Sequence, residues 1–156
     1  MARAIGGLYF DEIELGQEFE SVARTVTETD VVTFAGLSGD YNPLHTDAEF
    51  AATTPYGERI AHGLLGLSIA SGLAARCGFI EGTALAFMGL DWKFKSPILF
   101  GDTIRLHATV AKRRAMRSMG GGIVTFKVRV LNQNDKIAQQ GEWRLLMAGK
   151  SQEADA

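Results

Sequence analysis

With 156 residues and a formal net charge of −2, the chain has the size of one domain and no general field that would draw it to nucleic acid or an anionic membrane. Its 46% hydrophobic and 22% charged residues are the proportions of a globular protein with a packed core. A single cysteine, Cys77, excludes an internal disulfide and suits a reducing compartment. Lacking a CxxC partner, it reads as structural filler. Residues 1–7 hold no apolar signal core, so a cytoplasmic location is the expectation.

In chain order, a strand is expected near residues 18–26, then a helix over about residues 28–37. Thr27-Glu28-Thr29-Asp30 forms a capping-box start with Asp in place of the usual Glu or Gln. Gly36 or Gly39 supplies the end and delivers Asp40 into a loop. There, Pro43 fixes its own φ and pushes Asn42 into an extended conformation. A sharp, non-helical turn is therefore expected, folding Asp40 and His45 toward one point. A short helix over residues 47–52 follows. Residues 60–75 carry no Lys, Arg, Asp or Glu, and the run stops at Arg76, short of the roughly twenty apolar residues a membrane span needs. With His62, Gly63, Gly66, Ser68, Ser71 and Gly72 inside it, the run reads as a helix buried on every side.

From Leu85 onward the pattern changes to period two, the mark of half-buried strands. Leu90, Trp92 and Phe94 alternate with Asp91, Lys93 and Lys95, and Ile104, Leu106, Ala108 and Val110 with Arg105, His107 and Thr109. Val124, Phe126, Val128 and Val130 form a third series, and Trp143, Leu145 and Met147 a fourth. Turn chemistry links them at Ser96-Pro97, Gly101-Asp102, Gly120-Gly121-Gly122 and Asn132-Gln133-Asn134-Asp135. The expectation is an antiparallel meander of about five strands with one apolar face, curled on the uncharged helix. That makes one α+β domain over residues 1–150, with a polar tail over residues 151–156.

An Asp and a His converging on one water form an acid–base arrangement. Gly-Asp-x-Asn-Pro alone reads as an ordinary turn; His45 at its end and the unusual helix beyond it reverse that reading. Gly39-Asp40-x-Asn42-Pro43-Leu44-His45, then Arg59-Ile60-Ala61-His62-Gly63, then Ser71-Gly72, resembles the MaoC-like (R)-specific enoyl-CoA hydratases. Phe94-x-x-Pro97 and Gly101-Asp102 are similar to that family's strand and turn after the helix, and the resemblance runs over about residues 10–147.

The resemblance implies a hot-dog fold and reversible hydration of a trans-2-enoyl-CoA to the (3R)-hydroxyacyl-CoA, without cofactor or metal. It also implies a homodimer or larger homo-oligomer that pairs sheets across a two-fold axis. Asp40 and His45 would polarise the water, with the choice of proton acceptor left open. Gly63, at the helix start, would offer its N–H to the thioester oxygen as an oxyanion hole. Asn42, His62 and Ser71 are supporting candidates, although His62 also reads as a packed histidine and Ser71 as a serine bonded one turn back. Lys112, Arg113, Arg114 and Arg117 form the densest basic cluster, a solvated strand end or a contact for CoA phosphates. His107 reads as solvated, and Gly120-Gly121-Gly122 as a hairpin turn rather than a phosphate loop. Because fold alone does not assign chemistry, an acyl-carrier-protein dehydratase, a thioesterase and a non-catalytic acyl-CoA-binding subunit stand as rivals.

Overall fold

The computed structural model describes residues 6–150; the expected tail lies outside them, as does the side chain of Arg117. The elements are β1 (Glu18–Glu20), β2 (Arg24–Thr25), α1 (Glu28–Ser38), α2 (Pro43–Thr46), α3 (Ala48–Ala52), α4 (Gly63–Arg76), β3 (Ala84–Phe94), β4 (Thr103–Met116), β5 (Gly121–Leu131) and β6 (Ile137–Ala148). The strands make one antiparallel sheet in the order β1-β4-β5-β6-β3, with β2 also paired to β4.

Two features of the sheet differ from the sequence expectation. The single strand expected over residues 18–26 is two pieces on the same edge of β4. Between them the Ser21 hydroxyl accepts the Leu106 N–H at 2.8 Å, so a side chain stands where a ladder carbonyl would. The meander covers only β4, β5 and β6. β3 crosses to the far edge and pairs with β6, Trp92 opposite Gly141. Period two tells which face a residue occupies, not which strand lies beside it.

The core lies between α4 and the inner face of the sheet. Leu65, Ile69, Ala70, Leu73 and Ala74 pack with Leu106, Ala108, Phe126, Val128, Trp143 and Leu145, each large side chain contributing about 1.5–3 kcal/mol by leaving water. The helix is not buried on every side within one chain: Leu64, Ser68, Ser71 and Gly72 are exposed. On β3, Leu85, Phe87, Met88, Leu90 and Phe94 are 42–55% exposed. An uncharged run shows that a face avoids water without showing what covers it. Among the described residues, no helix is long and apolar enough to cross a membrane.

The first half of the chain serves to place Asp40. Thr27 Oγ1 accepts the Asp30 N–H at 3.2 Å, and Asp30 Oδ2 accepts the Thr27 N–H at 2.9 Å, which is the expected reciprocal cap. α1 ends at Gly39, whose φ of 75° is left-handed and whose N–H donates to Ala35 O. Glycine takes that conformation without the penalty a Cβ brings. The next segment corrects the expectation of a non-helical turn: residues 43–46 form the single helical turn α2, which carries His45. Asn42 is extended as expected, and it caps that turn by accepting the Leu44 N–H at 3.0 Å. Pro43 takes the first helical position, where its missing N–H costs nothing.

Burial pulls the Asp30 carboxyl upward, but the Thr27 N–H, the Arg24 guanidinium and the Thr27 hydroxyl outweigh it and hold the group below its ordinary value. A depressed carboxylate stabilises the fold above its unfolded value of about 3.9. That stability is lost as pH falls through the folded value. Thermal melts from neutral pH down to pH 2 should therefore show an acid-side loss that Asp30→Asn reduces. An identical acid limb in the variant would remove this cap from the account.

Candidate active site

Asp40 follows the left-handed Gly39 and is exposed. Its Oδ1 accepts the Asn42 N–H at 3.2 Å, and its own N–H donates to Ser38 Oγ at 3.1 Å. His45 Nδ1 lies 2.7 Å from the Ile60 carbonyl oxygen. A carbonyl only accepts, so Nδ1 carries the hydrogen, and in the neutral ring Nε2 is left with a lone pair. His62 is 2% exposed, and its Nε2 donates to the Asp40 carbonyl at 2.9 Å. Its ring sits 3.8 Å from the His45 ring and 4.9 Å from Phe34, centroid to centroid. Thus Asp40 and His45, separate on the chain, meet against one buried imidazole.

Gly63 opens α4 directly after His62, and no side chain caps that end. First-turn N–H groups of an uncapped helix are free donors at its positive end. A Cβ at Gly63 would sit 2.8 Å from Phe94 Cε1, so the bare α-carbon is what leaves room there. A cleft of about 540 Å³ brings together His45, Tyr56, Gly63, Leu64, Phe94 and Gln139. A second concavity of about 550 Å³ lies among Asp91, Lys93, Lys127, Arg129 and Glu142 and contains none of these groups.

Gln139 escaped the sequence reading. It is 2% exposed; its Oε1 accepts the Trp92 indole N–H at 3.1 Å, and its Nε2 donates to the Gly63 carbonyl at 2.9 Å. It ties the start of α4 to the sheet. The signal was present, because Gln139 lies in phase with Trp143, Leu145 and Met147, a polar residue on an apolar strand face.

The other candidates divide. Asn42 is a helix cap beside Asp40. Ser71 Oγ donates to Ser68 O at 2.7 Å on the open face of α4, about 12 Å along the axis from Gly63 at 1.5 Å per residue. Arg113 donates to Phe10 O at 2.7 Å and lies 4.6 Å over that ring, while Lys112 and Arg114 are exposed. Leu106 pairs with Val130, which pairs with Gln139. Arg114 lies eight residues further along β4, about 26 Å at strand rise. Within one chain, neither Ser71 nor the basic cluster is brought to Asp40 and His45. His107 lies beside Arg129, Nδ1 to Nη2 3.2 Å. Burial first, and the Glu20 charge second, push the Cys77 thiol up, away from reactive thiolate.

Donor atoms of Asp40, His45 and His62 lie within 4.8 Å of one another, near enough to raise the question of a metal. Each imidazole has one nitrogen committed to a carbonyl, and the second nitrogen of His62, Nδ1, is buried.

The family model described as MaoC like domain matches residues 12–132. The chain belongs to this MaoC-like family. A 3-hydroxybutyryl-CoA dehydratase of Methylorubrum extorquens is 32% identical over 148 residues, covering 95% of this chain and 88% of that protein. An (R)-specific enoyl-CoA hydratase of Aeromonas caviae is 33% identical over 130 residues, covering 83% and 92%. A solved (R)-hydratase from A. caviae superposes with a TM-score of 0.74 at 32% identity, covering 86% of this chain and 97% of that one. A Mycobacterium tuberculosis protein with a double hot-dog fold aligns at a TM-score of 0.81 and 18% identity over 95% of this chain and 46% of that one. This MaoC-like chain is thus a hot-dog domain and a hydro-lyase of the hydratase and dehydratase kind.

Proposed function

We propose that this MaoC-like domain adds water reversibly to a trans-2-enoyl-CoA, giving the (3R)-hydroxyacyl-CoA, with Asp40 and His45 as the pair that activates the water. The observation that carries the reading is the His45 Nδ1 contact to the Ile60 carbonyl, which leaves Nε2 as an acceptor, in a ring that has a nitrogen within 4.8 Å of the exposed Asp40 carboxylate. Water oxygen bonds to C3 as its proton passes to the pair. The C2=C3 electrons move onto the thioester oxygen as enolate, and a proton returned to C2 completes the addition. Negative charge on that oxygen meets the free N–H at the start of α4, where a preorganised donor is worth most. Asp40 and His45 act on one water. Hydration changes no overall oxidation state, so an acid–base pair and an amide donor suffice, with no cofactor.

The names of the relatives support hydration, and the (R) outcome follows the A. caviae enzyme. A silent acyl-CoA-binding subunit would have no use for a lone pair held at His45 Nε2 by its partner carbonyl. The acting unit is proposed to be a homodimer, in which the open faces of α4 and β3 are covered by a second copy. Purified protein should bleach the absorbance of crotonyl-CoA or octenoyl-CoA and yield the (R)-alcohol on chiral analysis. An (S)-product, or activity abolished by a chelator, would sink the reading.

A further inference from the structure

We propose that His62 is a positioning residue, holding Asp40, His45 and the first peptide of α4 in one arrangement while leaving a buried nitrogen unpaired. The inference rests on the hydratase reading and adds a role to a residue that reading does not use. The other bonds of residue 40 are local, to Ser38 and Asn42. The His62 Nε2–H bond to its carbonyl spans 22 residues and, among the described residues, is its tether to α4. The same ring lies against His45, centroids 3.8 Å apart and planes inclined by 30°, and His62 is the residue directly before Gly63. One imidazole therefore bonds the main chain of the acid residue, lies against the ring of the base and precedes the oxyanion amide.

His62 Nδ1 is buried and has no partner among the described residues. A buried polar atom without a partner lowers stability, and such atoms in folded proteins call for an explanation. Packing alone would be served by phenylalanine, a somewhat larger ring that carries no orphan nitrogen. Phenylalanine cannot reach the Asp40 carbonyl with a donor. The nitrogen that reaches it brings the unpaired one along, which is the trade expected when geometry at a site outweighs stability.

Two variants separate the ring from the bond. His62→Phe keeps an aromatic ring against His45 and Phe34 and deletes the donor; the exposed Asp40 then turns its carbonyl to water. His62→Gln keeps a donor near the Nε2 position and deletes the ring. For His62→Phe we expect a melting temperature equal to or above the parent's, unchanged KM for crotonyl-CoA, and kcat lower by about 10²-fold, the scale of a small misplacement at a reacting centre. His62→Gln should recover part of that kcat. Parental kcat in His62→Phe would overturn the proposal. So would kcat and melting temperature falling together, which is the result expected of a merely structural histidine. Asp40→Asn in the same assay keeps the two ideas apart: no loss there overturns the hydratase reading, whereas loss there with an unaffected His62→Phe overturns only the role of His62.

Discussion

Asp40→Asn and His45→Gln should each fold like the parent, and each should lose about 10²–10⁴-fold in kcat, the usual worth of a general acid–base group. Folding is spared because Asp40 is exposed and His45 only half-buried, so neither fills the core. KM should move little, since the pair acts on the water in the transition state rather than on the acyl chain. The double variant should fall barely below the worse single one, because both groups serve one water. Steady-state kinetics on crotonyl-CoA, with circular dichroism to verify the fold, decide it. Near-parental kcat in either single variant removes the pair from the mechanism.

The second large effect is expected on assembly. Sedimentation equilibrium should return a multiple of the 16.9 kDa chain, with the dimer as the smallest active species. Leu85 and Met88 are 51% and 53% exposed on the β3 edge, so Leu85→Lys with Met88→Lys should be tolerated by the folded chain. In a closed interface the same lysines would bury unpaired charge, which is strongly unfavourable, and charged edges are how strands avoid pairing. The double variant should sediment as a monomer with reduced activity. A monomer at assay concentration with full activity would show that the pocket is complete within one chain. Trp143 Nε1, buried without a partner among the described residues and near Phe87, lies next to this edge.

Local signals were legible in the residues. Thr27 and Asp30, Gly39 and the period-two series of β4, β5 and β6 each specify structure through bonds to near neighbours or through one face, and each is found as expected. What was not legible depends on distant partners. The crossing of β3 to β6 leaves no trace in either strand's alternation. Asn42-Pro43 permits both an open turn and a capped helical turn, and the Asn42 cap on Leu44 decides between them. His62 gave no sign of which atom it would meet, because Asp40 approaches only after α1 and α4 have packed. Gln139 did carry a sign, polarity in an apolar phase, but it lies upstream of Trp143, where the fourth apolar series begins.

Both histidines at the site are keyed to main-chain carbonyls, His45 to residue 60 and His62 to residue 40. Backbone oxygens are present whatever side chain the residue bears. The proton inventory of the site is therefore insulated from the identity of the walls: Tyr56, Ile60, Leu64 and Phe94 can be exchanged without touching the groups that fix either tautomer. Such a scaffold separates the evolution of substrate range from the evolution of chemistry. An engineer wanting a longer or branched acyl chain can carve those four positions as a library and leave the acid–base apparatus alone.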